Sequence, residues 1–442
     1  MSRRFEELLE DSLCKNFKTN SQLDLNPSKY LKEQLMEMMK SWNYKYRGPY
    51  AVLEQSNGFG KTKACLGLVD EECYVVYCNL DDKKSIGYPK RSNMAYQFLK
   101  EWNDEKFYIS YFNAFIDLLN TTEISCLDFF KKYNQFDVYN YKTVEDLVES
   151  KEKNSVYDQN ISFYTGNKPL IFVFDEASPL LQVKRIVNSS ETYFDRLRKI
   201  LSKLSNNIFV LFINMFTISN SLDAKRNPDP SAKITLSSMI EFEPIYLIPN
   251  CDIYVDELQI LKIEDSVEFE NVCMYGRPLW GSLVQTKLDK CRKYNFLNLK
   301  ELYSLVLNRL TGGKMTESLN SNDILAVLGC RLGVIQPKSI SRRQELVANN
   351  MAVCVYVKNS EYLFDIFYPS EPILAESAAY LMGVIGHVKI VEILIESLES
   401  SSVSIDDKVG LIAKLILLIA MDRACRMTRG NEPFLYLNVV QV

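Results

Sequence analysis

Residues 50–66 read Tyr50-Ala51-Val52-Leu53-Glu54-Gln55-Ser56-Asn57-Gly58-Phe59-Gly60-Lys61-Thr62-Lys63-Ala64-Cys65-Leu66. A short apolar run at 50–54 predicts a buried strand. A glycine-bearing turn follows at 55–60, and Lys61-Thr62 opens a predicted helix. Strand, glycine-rich turn, then Lys-Thr at a helix start is the order that a phosphate-binding loop requires. Gly58 and Gly60 let backbone N–H groups turn inward, and the helix N-terminus adds its positive dipole end. Ser56, Asn57, Gly58, Phe59, Gly60, Lys61, Thr62 and Lys63 are therefore the candidate nucleotide-binding residues. Lys61 is placed to reach the β- and γ-phosphates, and the Thr62 hydroxyl to coordinate Mg²⁺. One position departs from the pattern: Gln55 stands where the first glycine is expected.

Outward from the loop, three more apolar runs appear: Cys73–Cys78 (CYVVYC), Leu170–Phe174 (LIFVF) and Ile208–Ile213 (IFVLFI). Continuous apolar runs of this length suit parallel strands buried on both faces. Helical patterns alternate with them, which predicts an α/β fold with a parallel sheet. The run at 170–174 ends in Asp175-Glu176. Asp175 is the expected Mg²⁺ partner, and Glu176 the general base that polarises an attacking water. The run at 208–213 ends in Asn214-Met215-Phe216-Thr217. A strand lying between the loop strand and the acidic strand brings its polar tip to the γ-phosphate, so Asn214 and Thr217 are both candidate sensors. Arg198, in YFDRLRKIL, is a candidate for stabilising transition-state charge. Pro278, in Gly276-Arg277-Pro278, opens a helix and is a candidate for lying against adenine.

The predicted organisation has three parts. Residues 1–46 read as amphipathic helices, one on the Phe5/Leu8/Leu9 stripe and one on Leu31, Leu35, Met38 and Met39. Residues 47–250 form the nucleotide-binding core, with a helical insertion near 94–160. Residues 251–442 are mainly helical, with a two-strand insert around 351–367. The C-terminal apolar run Leu411–Met421 is interrupted by Lys414, is too short to span a bilayer, and reads as a buried helix.

Composition narrows the function classes. Of 442 residues, 52 are Lys or Arg and 56 Asp or Glu, giving a net charge of −4. That balance lends no support to nucleic-acid binding, although a local basic patch stays possible. The single histidine, His387, leaves no Ser-His or Cys-His hydrolase constellation and no ordinary zinc site. Eleven scattered cysteines without a CxxC pair suit reduced thiols. The N-terminus carries no apolar signal segment, so an intracellular protein with no membrane span is expected.

The ordered set of motifs resembles the crinkler-related P-loop NTPases of fungi and oomycetes. It is distantly similar to signal-transduction ATPases with a Gly-x-Pro lid motif. The matching stretches are QSNGFGKTK at 55–63, GYPKRS at 87–92, IFVFDEAS at 171–178 and FDRLRKILSKL at 194–204. They continue with FVLFINMFTISN at 209–220, GRPLWGSL at 276–283, YPSEPILAESA at 368–378 and GLIAKLILLIAMDRA at 410–424. The resemblance spans roughly 50–425. It implies an ATPase with a P-loop sheet core, N-terminal helices and a mainly helical C-terminal lid, acting as a switch or an effector-type signalling module. ATP and Mg²⁺ are the expected cofactors, and an unidentified protein the expected partner. The alternative is a nucleotide-binding scaffold that does not hydrolyse ATP.

Overall fold

The computed structural model describes residues 26–43, 45–81, 89–100, 105–134, 138–154, 160–182, 191–214, 240–255, 269–291, 299–314, 316–333, 336–358, 363–399, 403–404 and 408–429. These residues are mixed α/β and fall into two compact units. One unit comprises residues 26–54 and 61–245. The other comprises residues 55–60 and the described residues from 246 onward.

The first unit is built on four parallel strands: β1 (Tyr50–Leu53), β2 (Tyr74–Asn79), β3 (Leu170–Asp175) and β4 (Ile208–Ile213). Their order across the sheet is β1-β4-β3-β2. Tyr50 is in register with Val210 and Val210 with Phe172. β4 therefore lies between the strand that precedes the glycine-rich turn and the strand that ends in Asp175. The apolar runs suit this position because β1, β3 and β4 are buried along their whole length.

Seven helices of this unit among the described residues are α1 (Pro27–Ser41), α2 (Lys61–Leu66), α3 (Met94–Phe98), α4 (Glu105–Thr121), α5 (Cys126–Tyr133), α6 (Val138–Asn154) and α7 (Tyr193–Leu201). Helices α3 to α6 occupy the interval that the sequence marks as a helical insertion. Ten successive residues of α4, Phe107 to Ile116, are buried. A helix enclosed on every side needs apolar residues all round, and this one supplies aromatic rings. Phe112 meets Phe172 of β3 edge-on at 4.6 Å, Phe98 meets Phe174 at 5.0 Å, and Phe174 stacks on Phe212 at 5.5 Å. Such ring pairs add to the stabilisation from burial alone. They fix the two strands whose tips carry Asp175 and Asn214.

Helix α1 corrects the predicted partition at residue 46. Asn26 caps it, accepting from the N–H groups of Ser28 and Lys29. Leu31, Leu35 and Met39 are buried, and Lys32 donates to the carbonyl of Glu71 at 2.6 Å. The helix is thus part of the sheet unit and not a separate segment. The division between the units falls after Ile245, which still bridges to Leu53 beside β1. The stripe at Phe5, Leu8 and Leu9 lies outside the described residues.

The second unit is mainly helical. It contains α8 (Phe269–Val272), α9 (Pro278–Cys291), α10 (Leu299–Leu310), α11 (Ser321–Leu332), α12 (Ile340–Asn349), α13 (Pro372–Ile385), α14 (His387–Glu399) and α15 (Lys408–Arg429). A short pair, β5 (Gln336–Pro337) with β8 (Val403–Ser404), and a hairpin, β6 (Val353–Lys358) with β7 (Leu363–Phe367), are both antiparallel. The hairpin sits where two strands are predicted. The run 411–421 behaves otherwise than expected. Leu411, Leu415 and Leu418 of α15 are buried, but Ile412, Ile416, Leu417 and Met421 are exposed. The three buried leucines keep a 3–4 spacing that turns only one face inward. Among the described residues no single helix is long and apolar enough to cross a membrane.

Candidate phosphate-loop site

In the sheet unit, four of the anticipated side chains meet at the C-terminal ends of the strands. The Thr62 hydroxyl donates to Asp175 Oδ2 at 2.6 Å. Asp175 Oδ1 accepts the N–H of Glu176 at 2.9 Å. Asn214 Nδ2 donates to Glu176 Oε1 at 2.7 Å. Parallel pairing explains the meeting: Phe174 is level with Phe212, so the residues just past both strands are neighbours. The turn after β3 is fixed further by the Ala177 N–H, which donates to the Ile213 carbonyl at 2.9 Å.

The backbone at these tips is unusual. Glu176 has φ 49° and Asn214 φ 56°. Asparagine tolerates the left-handed region, but glutamate enters it at a cost. The strained turn directs the Glu176 carboxylate to Asn214. Asn214 Oδ1 is buried and has no hydrogen-bond partner. Burial and the neighbouring Asp175 charge push the Glu176 carboxyl up to about 7, against opposing contributions from Lys61 and the Asn214 hydrogen bond. Lys61 is buried at the start of α2. Burial likewise brings the Lys63 ammonium down to about 8.

Tyr77 was not anticipated. Its hydroxyl, near the C-terminal end of the CYVVYC run, donates to Asp175 Oδ2 at 2.7 Å. The sequence signal was weak: a tyrosine inside an otherwise apolar strand needs a partner for its hydroxyl. Burial and Asp175 hold its phenol well above the ordinary range. Glu54, just past β1, is also buried, which raises its carboxyl to about 8.

One candidate is not brought to this cluster. Arg198, in the last turn of α7, pairs with Asp195 at 3.3 Å and lies 5.8 Å from the Phe194 ring. Its charge acts on Tyr50, which is level with Phe172, about 10 Å short of Asp175 along the strands. Helix α7 runs back along the sheet from the tip of β3, and that direction carries Arg198 away. Thr217 lies outside the described residues.

Residues 55–60 belong to the second unit, and their conformation is set there. Gly58 and Gly60 have φ 81° and 76°. A Cβ on Gly58 would stand 2.9 Å from Leu279 Cβ, and one on Gly60 2.8 Å from Asn250 Nδ2. Glycine is therefore required for both torsion and space. Asn250 Nδ2 donates to the Phe59 carbonyl at 2.6 Å. Pro278 Cγ would lie 4.0 Å from that Gly60 Cβ, which puts the proline beside the loop.

Arg277 and Glu371 went unnoticed in the sequence, although both fall in stretches it marks, GRPLW and YPSEP. The two side chains are fully buried and form a bidentate pair. Arg277 Nε donates to Glu371 Oε2 and Nη2 to Oε1, each at 2.7 Å. Arg277 Nη1 also donates to the Asn57 carbonyl at 2.9 Å and to Ser56 Oγ at 3.1 Å. Trp280 Nε1 donates to Glu371 Oε2 at 3.2 Å.

Among the described residues no group of three or more His, Cys, Asp or Glu gathers to form a metal site. Thr62 and Asp175 nevertheless supply hard oxygen donors of the kind Mg²⁺ takes. That ion is ordinarily held by one or two carboxylates together with substrate phosphates, so the donor set fits it.

A family model described as a domain of unknown function (DUF8736) matches residues 314–437. No curated protein and no solved structure matches the chain.

Proposed function

We propose that the protein is an ATP-binding P-loop NTPase of the crinkler-related kind, which hydrolyses ATP with Mg²⁺ as a conformational switch in signalling or effector function. The observation that carries this reading is the convergence of Thr62 on Asp175, with Glu176 and Asn214 beside them. The position of β4 between β1 and β3 supports it, because ligands of open parallel sheets bind outside the carboxyl ends of the strands. The left-handed glycines of 55–60 support it as well, since alternating torsions of this kind form a concave nest of amides for an anion.

Each residue has a role its surroundings suit. Lys61 and the amides at the start of α2 bind phosphate oxygens. Thr62 and Asp175 would hold Mg²⁺, which when bound neutralises charge on the β- and γ-phosphates. Glu176 accepts a proton from water, and a carboxyl near 7 is well placed to take one at neutral pH. Asn214 fixes that carboxylate with its amide, leaving Oδ1 to accept from the same water. Pro278, which lies beside Gly60, would meet the nucleotide base.

The test compares ATP binding and turnover in the wild type, Lys61→Ala and Glu176→Gln. The expected result is lost binding in the first variant, and retained binding with lost turnover in the second. Equal ATP affinity of Lys61→Ala and wild type overturns the site. Binding without turnover in the wild type leaves the protein a nucleotide-binding scaffold.

A further inference from the structure

Two stretches grip the glycine-rich loop: Tyr246, Asn250 and Arg277 from one, and Ala348 and Cys354, within the matched segment 314–437, from the other. Gln55 carries the plainest contact. Its Oε1 accepts the N–H groups of Cys354 and Ser56, each at 2.9 Å. Its Nε2 donates to the carbonyls of Cys354 and Tyr246, each at 2.9 Å. A side-chain amide has the same donor and acceptor as a peptide group, and here it pairs with Cys354 as a neighbouring strand would. This stands in place of the missing glycine: Gln55, the first residue of the turn, is anchored to β6.

Three further contacts hold residues 56 and 57. Asn57 Nδ2 donates to the Ala348 carbonyl at 3.1 Å. Arg277 Nη2 donates to the Met351 carbonyl at 2.8 Å, while its Nη1 reaches Ser56 and Asn57. Glu371 neutralises that guanidinium inside the protein. Ala348, Met351, Cys354 and Glu371 all lie within 314–437. The turn that presents them is anchored in turn. Met351 has φ 66°. Asn350 Nδ2 donates to Asp323 Oδ1 at 2.9 Å, and the Tyr368 hydroxyl to the Asn350 carbonyl at 3.0 Å.

We propose that the 314–437 segment is a regulatory clamp on the phosphate loop, with Gln55 and Arg277 as the positioning residues that couple the two. The proposal rests on the nucleotide-binding reading given above. Residues 55–57 cannot change shape around a phosphate without breaking buried hydrogen bonds or moving 348–354 with them. Nucleotide occupancy and the conformation of that turn are thus one equilibrium. Coupling of this kind is reciprocal: whatever shifts the turn shifts nucleotide affinity by the same factor. A protein partner bound to the 314–437 segment would open or close the loop by this route.

The experiment is hydrogen exchange on the full chain, with and without saturating MgATPγS, beside a direct binding titration. In the wild type, nucleotide slows exchange of amides in 348–354 and 363–371. In Gln55→Ala and in Arg277→Lys, each confirmed as folded by its circular dichroism, that response is lost at saturation and nucleotide binds about tenfold more weakly. A role limited to stability lowers the melting temperature but leaves the exchange response in place. Wild-type protein that binds nucleotide without any change in 348–371 overturns the clamp, as does a response that persists in either folded variant. Wild-type protein that binds no nucleotide overturns the underlying reading, and the clamp with it. Should neither variant fold, the wild-type comparison still decides.

Discussion

Asn214 donates its side-chain amide to Glu176 across 2.7 Å, joining the tips of two adjacent strands from left-handed backbone on both sides. Asparagine tolerates its torsion, while that of Glu176 is strained and held by the neighbouring turn. Together they fix a half-buried carboxylate that would otherwise swing freely past the end of β3.

This pairing predicts a pH profile for ATP turnover. Glu176 must be ionised to accept a proton, and its carboxyl stands near 7. Turnover should therefore fall as pH drops through about 7. The Asn214 hydrogen bond lowers that value, so Asn214→Ala should move the acidic limb to higher pH. Its kcat should fall by about 10²-fold or more. An unshifted limb in Asn214→Ala would show that another group titrates.

Tyr77→Phe removes one hydrogen bond to a buried carboxylate while preserving the ring. Hydrogen bonds to charged groups are worth about 1.5–3 kcal/mol, and the variant should be less stable by that amount in urea unfolding. Asp175 keeps Thr62 and the Glu176 N–H as donors, so the fold should survive. An unchanged midpoint would mean that the Tyr77 contact contributes nothing.

The Arg277–Glu371 pair should behave asymmetrically. Glu371→Gln leaves a buried guanidinium without its counter-charge, a loss of about 3–5 kcal/mol. Removing both charges in Arg277→Met/Glu371→Leu should cost less than either single change. A double-mutant cycle in denaturant measures this, and strict additivity would contradict it.

Glu54 supplies a stability experiment independent of nucleotide. Its carboxyl rises from 4.5 to about 8 in the folded protein because burial penalises the charge. A raised folded value favours the protonated form, so this group's stabilisation is full below pH 4.5 and declines as pH rises toward 8. Glu54→Gln has no such loss. Its melting temperature should match the wild type below about pH 4.5, exceed it increasingly up to about pH 8, and hold a constant advantage above. A difference independent of pH would assign the shift elsewhere.

The parallel sheet was legible because uninterrupted runs such as LIFVF and IFVLFI leave little choice but strands covered on both faces. Asp175 and Glu176 could be placed from one run alone, being the first polar residues past it. Tyr77, Arg277 and Glu371 could not. Arg277 meets Glu371 across 94 positions and Gln55 meets Cys354 across 299, and no local period encodes such pairings. Arg198 shows the opposite failure. Its type suited phosphate chemistry, but the direction of α7 decides where its charge goes. Leu411–Met421 reads as a buried helix, yet it buries only the face that carries Leu411, Leu415 and Leu418.

Within 348–354 the loop and Arg277 are received mostly by main-chain atoms: the Ala348 carbonyl takes Asn57, the Cys354 carbonyl and amide take Gln55, and the Met351 carbonyl takes Arg277. Peptide groups are the same whatever side chain they carry. Apart from Asn350, whose amide anchors the turn to Asp323, and Met351, whose Sδ accepts from Arg277, residues 348–354 are thus free to diverge among relatives without loosening their hold, provided the turn keeps its shape. The trace of this contact in a set of sequences would be a persistent glutamine and arginine facing a variable stretch. A search for paired substitutions would pass over it.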